Sequence, residues 1–251
     1  MKYYIIAGEA SGDLHGSNLI KEIKKLDSNA VIRGWGGDKM QAAGATLAKH
    51  YKELAFMGFT EVVMNLPTIL KNFKLCQQDI EQFRPDVAIL INYSAFNLRM
   101  AKWTKQNGYK NVFYISPQVW AWKESRVKTI KEYVDKMIVI LPFEKAFFKK
   151  WDYEVEYAGH PLADVIENFK KENASIKRSS NTIALLPGSR RQEIKSQLPL
   201  MLETSKKFPG YKFFLAKAPS IEDEFYAPFL AGYHNVNVLA NDTYSLLMKV
   251  K

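Results

Sequence analysis

The chain of 251 residues is 47% hydrophobic and 25% charged, which is ordinary for a globular protein and allows one large domain or two smaller ones. Lys and Arg number 36 against 26 Asp and Glu, and the net charge of +10 favours an anionic partner: nucleic acid, a phosphorylated substrate or an acidic membrane. The single cysteine, Cys76, excludes an internal disulfide framework and a cysteine-based zinc site, and it fits a reducing compartment.

Two features of the sequence bear on membrane insertion. No apolar run reaches the ~18 residues expected of a membrane span. Met1 leads directly into the strand-like KYYIIAG, and no signal peptide is visible. Any membrane contact is therefore expected to be peripheral.

Short apolar runs alternate with longer helical patterns along the chain. In chain order, strands are predicted at 2–8, 30–36, 86–92, 111–116, 137–142, 155–159, 182–188, 212–218 and 235–240. Helices are predicted at 14–26, 61–83, 97–107, 119–135, 143–151 and 193–207. The predicted strands lack strict apolar–polar alternation, which is typical of parallel strands buried on both faces. The pattern predicts an α/β fold of Rossmann-like, doubly wound parallel sheets.

A polar, turn-rich segment, ENFKKENASIKRSSN, divides the predicted strands into two groups. We expect this segment, 167–181, to be a linker. It separates an N-terminal Rossmann-like domain, 1–166, from residues 182–251, where only three strands are predicted. The sequence thus predicts two domains facing each other across a cleft, with the second domain partial.

Four loops follow predicted strands, at the edge where open parallel sheets bind ligands. The first, GEASGDLHGS, comes directly after the first strand. Gly8 and Gly12 permit close backbone approach, and Ser11 or Asp13 could cap the helix that follows. Glu9 and Asp13 place two carboxylates at a strand end, so Asp13 is a candidate both for helix cap and for catalytic group. The loop matches neither a Walker loop nor a dinucleotide fingerprint.

The second loop, LINYSAFNLRM, begins where a predicted strand ends at Asn92. Asn97 is expected to cap the following helix. Asn92 is better placed to face a cleft. An amide forms hydrogen bonds but cannot serve as a general base, which needs an ionisable group.

The third loop, SPQVWAWKESRVKTI, combines aromatic and basic side chains. Trp120 and Trp122 lie close in sequence to Arg126 and two lysines. Such a cluster can stack a base or sugar and bind phosphate, although tryptophans near a helix start more often serve packing.

The fourth loop, LLPGSRRQEI, ends a predicted strand in a Pro-Gly turn. Ser189 and the amides that follow Gly188 can form an anion site at a helix N-terminus, and Arg190 or Arg191 adds a cation that can hold phosphate bidentately. Glu193 can cap the new helix. The alternative is an ordinary capped turn with solvated arginines, but the abrupt order of strand, turn, arginines and helix favours phosphate.

One segment, LAFMGFTEVVMNLPTILKNFKL at 54–75, is hydrophobic around a glycine and then amphipathic. Its apolar residues are Phe56, Met57 and Phe59, followed by Leu66, Ile69, Leu70 and Phe73 on one predicted helical face. Pro67 should begin or break a helix. The segment could contact lipid or an acyl chain, whereas the pattern alone slightly favours a core-facing helix.

Seven segments together resemble lipid-A-disaccharide synthases, in the family's order and across nearly the whole chain. They are AGEASGD (7–13), GGDKMQAAG (36–44), MGFTEV (57–62), YISPQVWAW (114–122), LPFEKAFF (141–148), AGHPLAD (158–164) and LLPGSRRQEI (185–194). Each segment alone is weak evidence for the family, but the ordered set of seven is highly specific to it.

The resemblance implies a GT-B glycosyltransferase of two Rossmann-like domains, working peripherally at the cytoplasmic face of the inner membrane. It would transfer 2,3-diacylglucosamine from its UDP conjugate to 2,3-diacylglucosamine 1-phosphate with inversion, giving a β-1,6-linked disaccharide 1-phosphate and UDP. No metal, other cofactor or nucleic-acid partner is implied, and self-association as a homodimer is left open.

The resemblance also assigns residues. Gly188, Ser189 and Arg190 match the loop that holds the donor diphosphate, with Glu193 in the same loop. Segment 54–75 matches the family's membrane-facing region. On the acceptor side, the candidate substrate-binding residues are Ser11, Asn97, Ser116, Trp120 and Arg126.

Two departures from the family matter. The strand that ends here at Asn92 usually ends in an aspartate, the favoured base for the acceptor hydroxyl. Either the base is another group, with Glu9 and Asp13 the nearest candidates, or the chain is catalytically impaired, and an engineered change is a further explanation. Relatives also continue past residue 251, through a loop that completes the nucleotide site and a tail that returns to the first domain.

Two other functions are also compatible with the sequence. A UDP-sugar epimerase of the same architecture would lack the hydrophobic segment 54–75 and would turn over a UDP-sugar without a lipid acceptor. A basic module that binds membrane or nucleic acid would bind DNA with strong salt dependence and would not bind UDP.

Overall fold

The computed structural model describes residues 1–54, 66–219, 221–240 and 242–250. The chain divides into two compact units, residues 1–161 and residues 162–251. Each unit is an α/β arrangement built on its own parallel sheet.

The first unit is built on a seven-stranded parallel sheet. Its strands are β1 (Lys2–Ala7), β2 (Val31–Gly36), β3 (Thr46–His50), β4 (Val87–Ile91), β5 (Asn111–Tyr114), β6 (Lys136–Val139) and β7 (Glu156–Tyr157), in the order β3-β2-β1-β4-β5-β6-β7. The order reverses between β1 and β4, which pair in parallel. Such a reversal is the switch point at which doubly wound sheets bind ligands.

Helices cover both faces of this sheet. They are α1 (Ala10–Leu26), α2 (Asp38–Ala42), α3 (Leu66–Phe83), α4 (Ser94–Gln106), α5 (Val119–Trp122), α6 (Arg126–Tyr133) and α7 (Pro142–Lys149), with a 3-10 turn at Tyr51–Leu54. Successive residues of β1 point to opposite faces, so Tyr4 and Ile6 join the core under α3 and α4, while Ile5 and Ala7 join the core under α1. Burial on both faces explains the unbroken apolar run in this strand.

The second unit contains a three-stranded parallel sheet in the order β10-β9-β8. Its elements are α8 (Leu162–Glu172), β8 (Thr182–Leu185), α9 (Arg191–Lys206), β9 (Lys212–Lys217), α10 (Asp223–Leu230), β10 (Val236–Ala240) and α11 (Thr243–Lys249). Its core joins Leu185 of β8 and Leu215 of β9 to three leucine or isoleucine side chains of α9. The strand–helix–strand order is the one expected from the sequence.

All nine predicted strands are present, but several expectations about the other elements were wrong. The strand Thr46–His50 was not predicted, because its residues are mostly half exposed and only two of them are strongly apolar. The predicted helix 119–135 is two helices separated at Lys123, and the helix expected from residue 97 begins at Ser94. Residues 167–172, expected to open the linker, are the last turns of α8.

Candidate active site

The loops after β1 and β4 meet at the switch point of the first unit. A Cβ atom added to Gly8 would lie 2.4 Å from the ring of Tyr93, so only glycine permits this contact, and the predicted close approach is confirmed. The pKa of Tyr93 is raised, first by burial and second by the negative charge of Glu9. Glu9 therefore lies beside the residue that follows Asn92, which brings two candidate catalytic positions to one edge.

Three residues at this edge adopt left-handed backbone conformations that non-glycine residues rarely use. Asn92 and Tyr93 have φ of 47° and 45°, and Ile115, after the neighbouring β5, has φ of 67°. Asparagine tolerates this region, whereas a β-branched residue such as Ile115 is strained there. Strain of this kind, about 1–3 kcal/mol per residue, is concentrated at functional sites. The carboxyl ends of β4 and β5 are thus the best-supported ligand edge.

Asn97 does not cap α4, as the sequence had suggested, because the N-cap residue of that helix is Tyr93. It lies inside α4, is fully buried, and its side-chain nitrogen donates to the carbonyls of Ile6, Ile91 and Asn92 at 3.3, 3.2 and 2.9 Å. The amide therefore joins the ends of β1 and β4 and holds the backbone of Asn92 in place. Its role here is to position residue 92.

Asp13 does not cap its own helix. Its carboxylate is 3% exposed and accepts the backbone N–H groups of Gly37, Lys39 and Met40 at 2.8, 3.1 and 2.9 Å. It therefore caps α2, 24 or more residues further along the chain. Because both oxygens are occupied by amides, Asp13 is poorly suited to accept a substrate proton. Ser11 is exposed in the first turn of α1.

Ser116, predicted to bind substrate, is buried and donates a hydrogen bond to Glu144. The Glu144 carboxylate is 2% exposed and also accepts the amides of Ile140 and Leu141, at 3.2 and 2.8 Å. It thus joins the loop after β5 to the loop after β6. Sequence reasoning missed Glu144, although a proline at the helix start followed by glutamate is a capping signature that could have revealed it.

The aromatic and basic cluster separates into two parts. Trp120 is half buried and packs edge-on against Phe143, with ring centroids 4.9 Å apart. Trp122 is 68% exposed, and the guanidinium of Arg126 lies 4.6 Å from its ring centroid. Trp120 therefore packs against Phe143, while Trp122 and Arg126 present a stacked aromatic ring and cation to solvent.

The turn after β8 in the second unit has the conformation needed for an anion site. Gly188 has φ of 107°, and a Cβ there would lie 2.6 Å from Oε2 of Glu193. The amides of Ser189 and Arg190 point to that same oxygen, at 3.1 and 3.3 Å. Glu193 thus caps the helix as predicted, but its carboxylate occupies the donors expected to bind diphosphate. An incoming phosphate would have to displace it.

The two arginines of this turn differ in their surroundings. Arg191 forms an ion pair with Glu222, and its guanidinium lies 4.9 Å from the ring centroid of Phe225. Arg190 lies at the N-cap, 3.7 Å from Glu193, with its side chain half exposed. Arg190 is therefore the better placed of the two for a ligand at the turn.

Part of the hydrophobic segment is buried in the first unit. Phe73 is 8% exposed and stacks on Phe96 with ring centroids 4.2 Å apart, and Ile69 packs against the same core. Both side chains therefore face the core, which is the alternative that the pattern alone slightly favoured. Leu70, by contrast, is 50% exposed and precedes Lys71 in the sequence. The residues Phe56, Met57, Phe59 and the side chain of Leu66 lie outside the described part of the chain.

Two features are absent from the residues that the structure describes. No helix there is long and apolar enough to cross a membrane. No group of three or more His, Cys, Asp or Glu side chains there is arranged to hold a metal ion.

Solved structures define the class of the fold. The chain is similar to UDP-GlcNAc 2-epimerase from Neisseria meningitidis bound to UDP-GlcNAc, with a TM-score of 0.64 and 12% identity, over 99% of this chain and 74% of that one. Spinosyn rhamnosyltransferase complexed with thymidine diphosphate gives a TM-score of 0.59 and 12% identity over the same shares. The chain therefore has a GT-B-like α/β fold, shared by glycosyltransferases and epimerases.

The family follows from sequence. The model of the lipid-A-disaccharide synthetase family matches residues 3–249, and the chain belongs to that family. Lipid-A-disaccharide synthase from Geobacter metallireducens is 41% identical over 98% of the chain, and that from Nitrosococcus oceani is 38% identical over 97%. The chain spans 66% and 65% of the length of these two relatives.

Proposed function

We propose that the chain contributes to an inverting glycosyltransferase that joins 2,3-diacylglucosamine from its UDP conjugate to 2,3-diacylglucosamine 1-phosphate. The observation that carries the proposal is the family match over residues 3–249. The products would be the β-1,6-linked disaccharide 1-phosphate and UDP. The chain's net charge of +10 suits two substrates that both carry phosphate.

The described residues suggest which part of the chain supplies the base and which part stabilises the leaving group. The acceptor hydroxyl attacks the anomeric carbon, the bond from that carbon to the UDP oxygen breaks, and a base takes the hydroxyl proton. The base belongs at the edge where Glu9 and Asn92 lie. At the turn of the second unit, Arg190 and the amides of Ser189 and Arg190 would offset the charge that develops on the departing diphosphate.

The reaction is tested by incubating the chain with the UDP-diacylglucosamine donor and the monosaccharide phosphate acceptor. Disaccharide detected by mass spectrometry would support the proposal. Conversion of the UDP-sugar without any acceptor would instead identify an epimerase. Salt-sensitive DNA binding without UDP binding would favour a basic binding module.

Arg190→Ala should weaken UDP binding by about 1.5–3 kcal/mol, the usual contribution of a hydrogen bond to a charged group. Calorimetry measures the effect. Arg191→Ala is the matched control, since it removes the same charge from a neighbour already engaged by Glu222 and Phe225. If both variants lost UDP affinity equally, the loss would reflect the change in net charge alone. Unchanged UDP affinity in Arg190→Ala would contradict a diphosphate contact by Arg190.

Glu193→Gln should strengthen UDP binding several-fold. The neutral amide can still accept from the Ser189 and Arg190 N–H groups, but it no longer repels a phosphate that displaces it. The same calorimetric titration measures this change. Weaker binding in Glu193→Gln would show that the carboxylate itself contacts the nucleotide.

We further propose that the protein works at the cytoplasmic face of the inner membrane, where both lipid substrates would be found. Serine at Phe56, Met57, Phe59 and Leu70 should reduce sedimentation with anionic lipid vesicles, because apolar area and lysine charge both contribute to such binding. Leu26→Ser is the control, since Leu26 is 92% exposed on α1. Equal sedimentation of both variants would contradict a lipid contact at this segment.

A further inference from the structure

Two polar side-chain atoms, from residues three apart on α1, are buried without a hydrogen-bond partner among the described residues. They are Nδ1 of His15 and Nδ2 of Asn18. Residues three apart on a helix share a flank. Buried polar atoms are almost always bonded, and leaving one unpaired costs about 1–3 kcal/mol. A pair of such atoms on one flank indicates a group from outside the chain that completes them.

A second imidazole influences His15. Its pKa is lowered, first by burial and second by the nearby His160, which follows β7. Among the described groups, no carboxylate contributes to this shift. An anion between the two imidazoles would offset their repulsion and favour their protonated forms.

The position of this cluster also suits a substrate. His15 lies near the start of α1, directly after β1, and His160 comes directly after the end of β7. Both residues are thus near the carboxyl edge of the parallel sheet, where Glu9 and Asn92 also lie. The other flank of α1 is occupied, because Asp13 bonds to α2.

We propose that His15, Asn18 and His160 form a subsite for the phosphate of a phosphorylated sugar acceptor. This inference rests on the proposed function, in which one substrate carries a diphosphate and the other a sugar phosphate. In that proposal the turn of the second unit binds the diphosphate of the donor. The phosphate monoester of the acceptor then needs a binding site in the first unit. The Asn18 amide and the imidazole N–H groups are all donors suited to its oxygens.

Histidine NMR tests the subsite directly, since the chain has only four histidines to assign. Glucosamine 1-phosphate should shift the resonances of His15 and His160 and raise the pKa of His15. Glucosamine without phosphate should not, and His50 and His234 serve as internal controls. Absence of shifts at His15 and His160, or equal shifts from unphosphorylated glucosamine, would overturn the proposal.

Asn18→Leu adds a second readout that separates binding from folding. The leucine has a similar size and removes an unpaired buried donor, so the melting temperature should not fall. Affinity for glucosamine 1-phosphate should fall about tenfold, the loss of one charge-assisted hydrogen bond. A lower melting temperature with unchanged affinity would make Asn18 a structural residue and would refute its place in the subsite.

These outcomes are distinct from those of the proposed reaction. Disaccharide formation with unmoved His15 and His160 resonances would refute only the subsite. Phosphate-dependent shifts without any disaccharide would leave the subsite standing and count against the reaction.

Discussion

Aspartate at position 92 is expected to raise disaccharide formation by about 100-fold, the lower end of what a positioned general base contributes. The backbone should tolerate the change, because Asn92 has φ of 47° and aspartate, like asparagine, adopts this left-handed region. Asn97 would still hold the carbonyl of residue 92 at 2.9 Å. The substitution therefore changes the chemistry of the side chain while its position is kept. Product formation is measured by mass spectrometry with both lipid substrates.

Two controls make the Asn92→Asp result specific. Ser94→Asp places the same charge in the first turn of α4, at the same edge, and should give no gain. Glu9→Gln is made both in the chain with Asn92 and in the Asn92→Asp variant. It tests whether Glu9 serves as the general base when residue 92 is asparagine. If Asn92→Asp brings no gain and Glu9→Gln abolishes turnover, the base is Glu9. The cleanest comparison uses a chain extended by the segment that continues in the longer relatives.

The sequence predicts the framework of the fold well because the physical signal there is local. The apolar runs of β1 and β4 are buried on both faces, and the helices between them are long enough to show their period. The short strand Thr46–His50 was missed for the opposite reason, since none of its residues is fully buried. The sequence predicted that Gly8 permits a close approach to its backbone, and in the structure the group that approaches is the ring of Tyr93.

The roles of individual polar residues were harder to predict, because their partners are distant in sequence. Asn97 bonds to Ile6, 91 residues away, and nothing near Asn97 in the sequence indicates this contact. Phe73 belongs to an amphipathic, lysine-flanked pattern, yet its ring stacks on the ring of Phe96. The turn at 188–193 shows a further limit. The pattern predicts a site for an anionic ligand, whereas in the structure the amides of the turn donate to the protein's own Glu193.

Asp13→Ala is expected to lower the free energy of unfolding of the first unit by about 3 kcal/mol. The substitution leaves the buried amides of Gly37 and Met40, and the part-buried amide of Lys39, without their acceptor. An unpaired buried donor costs about 1–3 kcal/mol. Urea denaturation followed by tryptophan fluorescence reports this unit alone, because all five tryptophans lie within residues 1–161.

Asp38→Ala is the matched control for this experiment. Asp38 lies at the start of the same helix, but its side chain is 76% exposed, and its ion pair with Lys52 lies at the surface. Such pairs contribute about 0–1 kcal/mol, so the loss in Asp38→Ala should be much smaller. If the two variants lost equal stability, Asp13 would not be the anchor of α2, and its carboxylate would again compete with Glu9 for the role of base. A large loss confined to Asp13→Ala would support Asp13 as the anchor of α2 and would make Glu9 the better candidate for the base.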